Sequence, residues 1–343
     1  MSDPYPQRGA GYVDAYMHVG APRFGTAAQA LAACDRWGTA AAVLVLGPRV
    51  PDIAALVEAQ RTSPDRFRAV GIPFGDTADR RLACVEATLE AGAIGIRMQG
   101  DELLQNPVVL ARLGESGRWI YATDPLASER HTATLLEWLA RYPTARVGAP
   151  HCLRPTLAPL DDPLAEELFR HPRFFAILSR QGQAGSSLAW PWEDLRPWVQ
   201  RLLAWCGQAR MLWGSEYPVI YWRGEQIDGT RRWLTDIAAG LDAEALSAVL
   251  GGNARRLFFQ QPAPPVHMPQ LPLWLADYPP PGPVPLEPTR QFQLPIELYQ
   301  PLYDQYAEQN CPEHPLSMAE FVLARLRAGL GLPDAGGTQG AAQ

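Results

Sequence analysis

The stretch Asp14-Ala15-Tyr16-Met17-His18, near the start of the chain, is answered some two hundred residues later by Gly214-Ser215-Glu216-Tyr217-Pro218. The first belongs to a short β-type run, Gly11 to Ala15, and the second follows another, Met211 to Trp213. Between them lie six more: Ala40 to Leu46, Phe67 to Ile72, Ala93 to Met98, Trp119 to Ala122, Ala145 to Ala149 and Phe174 to Leu178. Several are apolar throughout, as strands covered on both faces are. The intervening segments carry helical spacing, for example Leu82, Val85 and Leu89, or Leu195, Val199, Leu202 and Cys206. Strands alternating with helices at an even pace are the pattern of parallel βα units, and eight of them over about 250 residues make a (β/α)8 TIM barrel. The rival, an open doubly wound sheet, is weakened because no Gly-x-Gly-x-x-Gly turn follows the first strand. Closing the barrel would make a histidine after the first strand and a carboxylate after the last into neighbours. Asp242 before Ala243 to Leu250, and Asn253 before Ala254 to Phe258, read as N-caps of two closing helices.

With 343 residues and 47% of them hydrophobic, the chain can bury a large core. No run approaches the roughly 18 apolar residues of a membrane span. The first twenty residues, with Pro4, Pro6, Arg8 and Asp14, lack a signal peptide's apolar stretch, so a cytoplasmic enzyme is expected. All 30 basic residues are arginine, which excludes Schiff bases, phosphate-loop lysines and metal pairs bridged by a carboxylated lysine. Five scattered cysteines without a C-x-x-C pair argue against a disulfide framework or a structural zinc site. A net charge of -6 without a basic block leaves no footprint for nucleic acid. A small molecule is the expected partner, with neither nucleic acid nor membrane.

The barrel is expected over residues 11–260. Eleven prolines between Pro262 and Pro288 then predict a proline-rich linker or arm over 261–290. Its Leu271, Leu273, Trp274, Leu275 and Tyr278 predict packing against the barrel's outside or against a neighbouring subunit in a homo-oligomer. Ser317-Met318-Ala319-Glu320 is a capping box ahead of Phe321, Val322 and Leu326, with Gly329 as a stop. It predicts a small helical segment within 291–332, followed by a disordered tail over 333–343.

In a parallel barrel, side chains at the C-terminal strand ends converge on one mouth. That rule selects Tyr16, His18, Arg97, Tyr121, Asp124, His151, Arg154, Ser179 and Glu216. His131 and His171 fall on helix or loop segments, and His267 and His314 lie in the extension. Cys152, beside His151, is expected to face the other way. Each selected residue also has a plain structural reading. His18 would be a hydrogen-bonded core histidine, Glu216 would pair with an arginine, and Arg97 and Arg154 would brace loops. The rings of Trp190, Trp192 and Trp198, with Tyr217, Tyr221 and Trp222, would form a lid or pocket wall, or simply cover helix ends.

Asp14-x-Tyr16-x-His18, Gly95-Ile96-Arg97, Ala149-Pro150-His151, Leu178-Ser179, Gly214-Ser215-Glu216-Tyr217-Pro218 and Gly252-Asn253-Ala254-Arg255-Arg256-Leu257 come in that order. Together they resemble the landmarks of the amidohydrolase-related TIM-barrel family, of the amidohydrolase 2 type, over roughly residues 11 to 260. Gly-Ile-Arg on strand 4 and His-x-x-Arg after strand 6 are most similar to the branch that includes 2-pyrone-4,6-dicarboxylate lactonase. The chain departs from the family at three places. The usual opening His-x-His has Tyr16 in its first position, the strand 8 aspartate is Glu216, and strand 5 offers Tyr121-Ala122-Thr123-Asp124 where the decarboxylase branch has a metal-binding histidine. A catalytic zinc commonly takes three protein ligands and keeps one place for water. His18, His151 and Glu216 would just supply such a set, and a neutral phenol at Tyr16 is a poor replacement for imidazole. The lactonase-like branch is thought to work without metal, so the resemblance permits a metal-free site, and the count of ligands favours such a degenerate one. One zinc or manganese ion on His18, His151 and Glu216 is the alternative.

The resemblance thus implies a hydrolase acting on a lactone, ester or amide bond of a small organic acid. Glu216 would activate water, and His18, His151 and Tyr16 would donate to the carbonyl oxygen. Arg97 and Arg154 would hold a substrate carboxylate, with Tyr121 and Ser179 lining the pocket. Two alternatives remain: a metal-dependent, non-oxidative decarboxylase, and a non-hydrolytic descendant that binds a ligand or a partner protein.

Overall fold

A computed structural model describes residues 11–21, 23–151, 162–180, 186, 188, 191–222, 225–237, 241–276, 278, 296–309 and 318–331. The strands are β1 Tyr12–Val19, β2 Thr39–Leu46, β3 Phe67–Gly71, β4 Gly95–Met98, β5 Trp119–Ala122, β6 Arg146–Pro150, β7 Phe174–Leu178 and β8 Met211–Trp213. They form one sheet in chain order, each parallel to the next. The helices are α1 Ala27–Arg36, α2 Ile53–Thr62, α3 Ala78–Glu90, α4 Glu102–Gln105, α5 Pro107–Glu115, α6 Glu129–Arg141, α7 Pro163–Arg170 and α8 Arg196–Cys206. They continue with α9 Val219–Trp222, α10 Ile227–Ile237, α11 Ala243–Ser247, α12 Leu273–Ala276, α13 Ile296–Gln309 and α14 Met318–Gly329. The architecture is the (β/α)8 TIM barrel that the spacing of apolar runs predicts.

Strand β2 shows why these runs fold so. Ala41, Val43 and Val45 enter the barrel interior, while Ala42, Leu44 and Leu46 pack outward under the helices, so both faces are apolar and both are covered. Strand β1 is different. It runs four residues past the expected end, so His18 lies within the strand rather than after it. In its ladder with β2, Asp14 stands opposite Ala42 and Met17 opposite Leu44, three steps against two, which is a bulge. Before the bulge, Val13 and Ala15 face the interior; after it Tyr16 faces the interior, while Met17 and Val19 join the outer layer. The extra residue thus reverses the alternation and carries Tyr16 and His18 to the inside.

The ladder described runs from β1 round to β8, and the segment after β8 closes the ring. Glu216 N donates to Tyr16 O at 2.8 Å and His18 N donates to Tyr217 O at 2.7 Å. The approach is close: a Cβ at Gly214 would stand 2.8 Å from the Cβ of Tyr16. At the opposite end, Phe258 packs on Trp119, with ring centroids 4.9 Å apart, and plugs the bottom of the barrel.

Asp242 caps α11 by accepting from Ala245 N at 2.8 Å. Asn253 does not start a helix. It lies inside the helical run that carries the π-helical turns Ala248–Gly252 and Arg255–Phe259, and its amide donates to Gln208 O and Met211 O at 2.8 and 2.9 Å. A cap-type residue here satisfies two carbonyls at the entry to β8 instead.

The molecule divides into two compact units, Met1–Val284 and Pro285–Gln343. Within the first, the described part of the proline-rich arm runs over the outside of α2 and α3. Leu275 is buried with Ile53, Val57, Cys84 and Ala91, and His267 Nε2 lies 3.2 Å from Glu90 Oε1. In the second unit, Tyr306 on α13 meets Phe321 on α14 at 5.7 Å between ring centroids. Ser317 of the expected capping box and the tail 333–343 lie outside the described residues. Among the described residues no helix is long and apolar enough to cross a membrane.

Candidate active site

Seven of the selected side chains meet at the C-terminal mouth of the barrel. Tyr16 and His18 come from β1, Arg97 from β4, Tyr121 from β5, and His151, Ser179 and Glu216 from the residues just after β6, β7 and β8. All seven are buried. Arg154 and Cys152 lie outside the described residues. Three successive strands end in the same unusual way: His151, Arg180 and Glu216 hold left-handed backbone, with φ of 60°, 56° and 57°. Such conformations cost a non-glycine residue on the order of 1–3 kcal/mol and concentrate at functional sites. Here they turn three polar side chains toward one point.

That point is the carboxylate of Glu216, which is fully buried. Arg180 Nε lies 2.8 Å from Oε1 and 2.9 Å from Oε2, and its Nη2 lies 2.7 Å from Oε1. Burial opposes the Arg180 charge, but the hydrogen bonds and attraction of Glu216 outweigh it and hold the guanidinium above its ordinary value. The plain reading of Glu216 as an ion-pair partner is therefore realised at the mouth itself. Arg180 was not among the residues selected from sequence. It stands two positions beyond β7, as His151 stands one beyond β6 and Glu216 three beyond β8, so reading each strand end slightly further would have found it.

Two imidazoles flank the carboxylate. His18 Nδ1 lies 2.9 Å from the carbonyl oxygen of Val45, which can only accept, so Nδ1 carries the proton. His18 Nε2 then presents a lone pair 4.0 Å from Glu216 Oε1. Burial lowers the pKa of His18 to about 4 and keeps the ring neutral. His151 is arranged the other way round. Its backbone N–H donates to Ser179 Oγ at 3.0 Å, and its Nδ1 is 3.0 Å from the same oxygen. The serine proton is thus available to Nδ1, which leaves the ring proton on Nε2, 3.2 Å from Glu216 Oε1 though out of line for a hydrogen bond. Burial also holds His151 well below the ordinary imidazole range. Ser179 is committed to orienting His151.

Tyr16 stands against both rings, edge-on, with centroids 4.9 Å from His18 and 5.1 Å from His151. Its hydroxyl accepts from Arg97 Nε at 2.9 Å. Burial pushes its pKa up, so the phenol keeps a proton to donate. Arg97 also donates to Gln99 Oε1 at 3.1 Å; both acceptors are neutral, and among the described residues no carboxylate touches this buried cation, Glu102 attracting it only from further off. Tyr121 stacks on Tyr16 at 6.4 Å, and its buried hydroxyl has no hydrogen-bond partner among the described residues. Of the tryptophans suggested as a lid, two are core instead: Trp198 is fully buried beside Phe169 and Trp205, and Trp192 packs on Trp233, while Trp190 lies outside the described residues.

The donor set suits a metal ion poorly. Among the described residues no group of three or more His, Cys, Asp or Glu side chains is placed to hold one. The guanidinium of Arg180 already engages both oxygens of the Glu216 carboxylate, and Tyr16 takes the place where the family has an imidazole.

The amidohydrolase family model, Amidohydro_2, matches residues 5–260. The L-fucono-1,5-lactonase of Burkholderia ambifaria is 31% identical over 168 residues, 45% of this chain and 55% of that protein, so the match spans about half the relative's length. A solved structure of a probable 2-pyrone-4,6-dicarboxylic acid hydrolase from Acinetobacter baumannii, with citric acid bound, is similar with a TM-score of 0.55 at 15% identity, covering 73% of this chain and 100% of that one. An amidohydrolase from Burkholderia multivorans with bound zinc gives 0.54 at 20% identity, covering 74% and 100%. At such identities the solved structures speak to the fold alone. The barrel, the ordered landmarks along it and a family match covering most of the chain together place this protein in the amidohydrolase family.

Proposed function

We propose that this hydrolase opens the lactone of a small organic acid carrying an anionic group near the scissile ester, and that it does so without a metal ion. The partial match to a lactonase supports the reaction class. The observation that carries the reading is Glu216 Oε1, set between the Nε2 lone pair of His18 and the Nε2–H of His151. A water about 2.8 Å from both Glu216 Oε1 and His18 Nε2 fits their 4.0 Å separation.

The oxygen of that water bonds to the acyl carbon while its proton passes to Glu216. Negative charge develops on the carbonyl oxygen, where the Tyr16 hydroxyl and the His151 Nε2–H are the available donors. Collapse of the tetrahedral intermediate breaks the ring C–O bond. The leaving alkoxide takes the proton back from Glu216, and the product is a hydroxy acid. Arg97, buried and with no carboxylate in direct contact among the described residues, supports the anionic group on the substrate. Arg180, whose side chain is 28% exposed, opens toward the entering ligand.

The test is a panel of neutral and carboxylated lactones, with acid release followed by a pH indicator. Carboxylated substrates are expected to show the highest kcat/KM, and Glu216→Gln to lower kcat on the order of 10³-fold with the fold intact. Protein freed of metal, and checked by elemental analysis, is expected to keep its rate. Full activity in Glu216→Gln removes the base, and dependence on an added divalent ion removes the metal-free mechanism.

A further inference from the structure

We propose that Asp14 is a positioning residue of this site: its buried carboxylate fastens the bulge of β1 to the segment after β8 and so sets where Tyr16 and His18 stand relative to Glu216. The inference rests on the reading of Glu216 as the base. It begins from the seam of the barrel, where the closing bonds described come from the segment after β8, which carries the reacting carboxylate.

A bulge leaves a backbone group out of the ladder, and in β1 the amide concerned is that of Tyr16. Asp14 Oδ1 accepts that N–H at 3.0 Å and also accepts Ser215 N–H from across the seam at 3.1 Å. One oxygen thereby serves the residue that begins the Tyr16–His18 pair and the residue that precedes Glu216. The Ser215 hydroxyl extends the clamp: it hydrogen-bonds Asp14 and accepts from Tyr217 N at 3.0 Å. The carboxylate does what a strand ladder would do elsewhere, at the one place where the bulge prevents it.

The charge strengthens the clamp, since amides bind an ionised oxygen about twice as strongly as a neutral one. The groups that face Asp14 are the Arg231 guanidinium from α10, the Cys34 thiol from α1, and Ser215 and the Tyr16 amide at the seam, with Tyr121 further into the barrel. Its exposure is 2%, so no solvent competes for these bonds. A shift of about 1 Å between catalytic groups costs on the order of 10²-fold in rate, and Asp14 holds both sides of such a distance.

The experiment compares Asp14→Ala and Asp14→Asn with the wild type. Asp14→Ala is expected to lose on the order of 10²-fold in kcat with KM changed by less than about threefold. Asp14→Asn keeps an acceptor oxygen and is expected to recover to within about tenfold of wild type. The ¹⁵N spectrum of the His18 and His151 imidazoles supplies a readout that needs no turnover. Asp14→Ala should move both sets of signals, and Asp14→Asn should move them less. If Asp14→Ala does not fold, the Asp14→Asn spectrum decides. Imidazole signals superimposable on wild type, or a wild-type kcat in Asp14→Ala, overturn the proposal. If the signals move while Glu216→Gln stays active, the positioning stands and only the base assignment falls.

Discussion

Arg180 lies across Glu216 with three nitrogen–oxygen distances between 2.7 and 2.9 Å, and each residue bends its backbone into the left-handed region to reach the other. One partner is fully buried and the other partly open, so the pair forms the boundary between the barrel core and its mouth. Removing the cation takes a counter-charge in direct contact away from a buried carboxylate. Arg180→Gln is expected to destabilise the protein by about 3–5 kcal/mol in urea denaturation at neutral pH. The double variant with Glu216→Gln should regain most of that loss; equal stability of the single variant and wild type would show that the pair carries no stabilising charge compensation.

Tyr16→Phe keeps the ring between the two imidazoles and removes only the hydroxyl. Loss of a donor to a developing oxyanion costs on the order of 10²–10³-fold in kcat, with little change in KM. Steady-state kinetics on any accepted lactone will check this; a drop confined to KM would place the hydroxyl in ground-state binding.

Arg97→Met separates substrate classes. Hydrogen bonds to a charged group contribute about 1.5–3 kcal/mol, so kcat/KM for a carboxylated lactone should fall by roughly 10- to 100-fold. A neutral lactone should be affected much less. Equal losses on both would assign Arg97 to holding Tyr16, through the 2.9 Å bond to its hydroxyl, rather than to the ligand.

Acid stability is set by groups that pull in opposite directions. His18 titrates near 4 in the fold against an ordinary 6.5, so between those values the unfolded chain binds more protons and stability falls as the pH drops. His151, also lowered, adds to the loss. Asp14 is raised by burial to about 6 from 3.8, so across that window the fold binds the extra proton and gains stability on acidification. Urea midpoints between pH 7 and 4 should therefore decline more steeply in Asp14→Asn and more gently in His18→Asn than in wild type. The reverse order would contradict the assigned burial effects.

Much of the barrel is legible in the chain because both-face burial writes β2, β5, β7 and β8 as continuous apolar runs whose limits nearly coincide with the strands. Strand β1 reads short because Asp14 and His18 interrupt the apolar pattern, and the bulge that makes them inward-facing or seam-facing is a two-strand property with no local signature. Arg180 is hidden by composition: in a chain whose 30 basic residues are all arginine, one more carries no signal until the end of β7 is fixed. Asn253 misleads for a related reason, since the same short amide that caps helices also satisfies carbonyls across a turn. The proton positions on His18 and His151 depend on Val45 and Ser179, which only the fold brings to them.

The bond between the Asp14 carboxylate and the Ser215 amide joins positions 201 apart in the chain. Its consequence concerns the order of events at synthesis. A nascent polypeptide that has not yet emitted its eighth strand possesses the imidazole side of the proposed reaction centre but not the acid, and nothing to pin the two together. Competence therefore arrives in one step, when the ring is fastened, and any truncation short of that fastening yields a protein with no reaction centre to rescue.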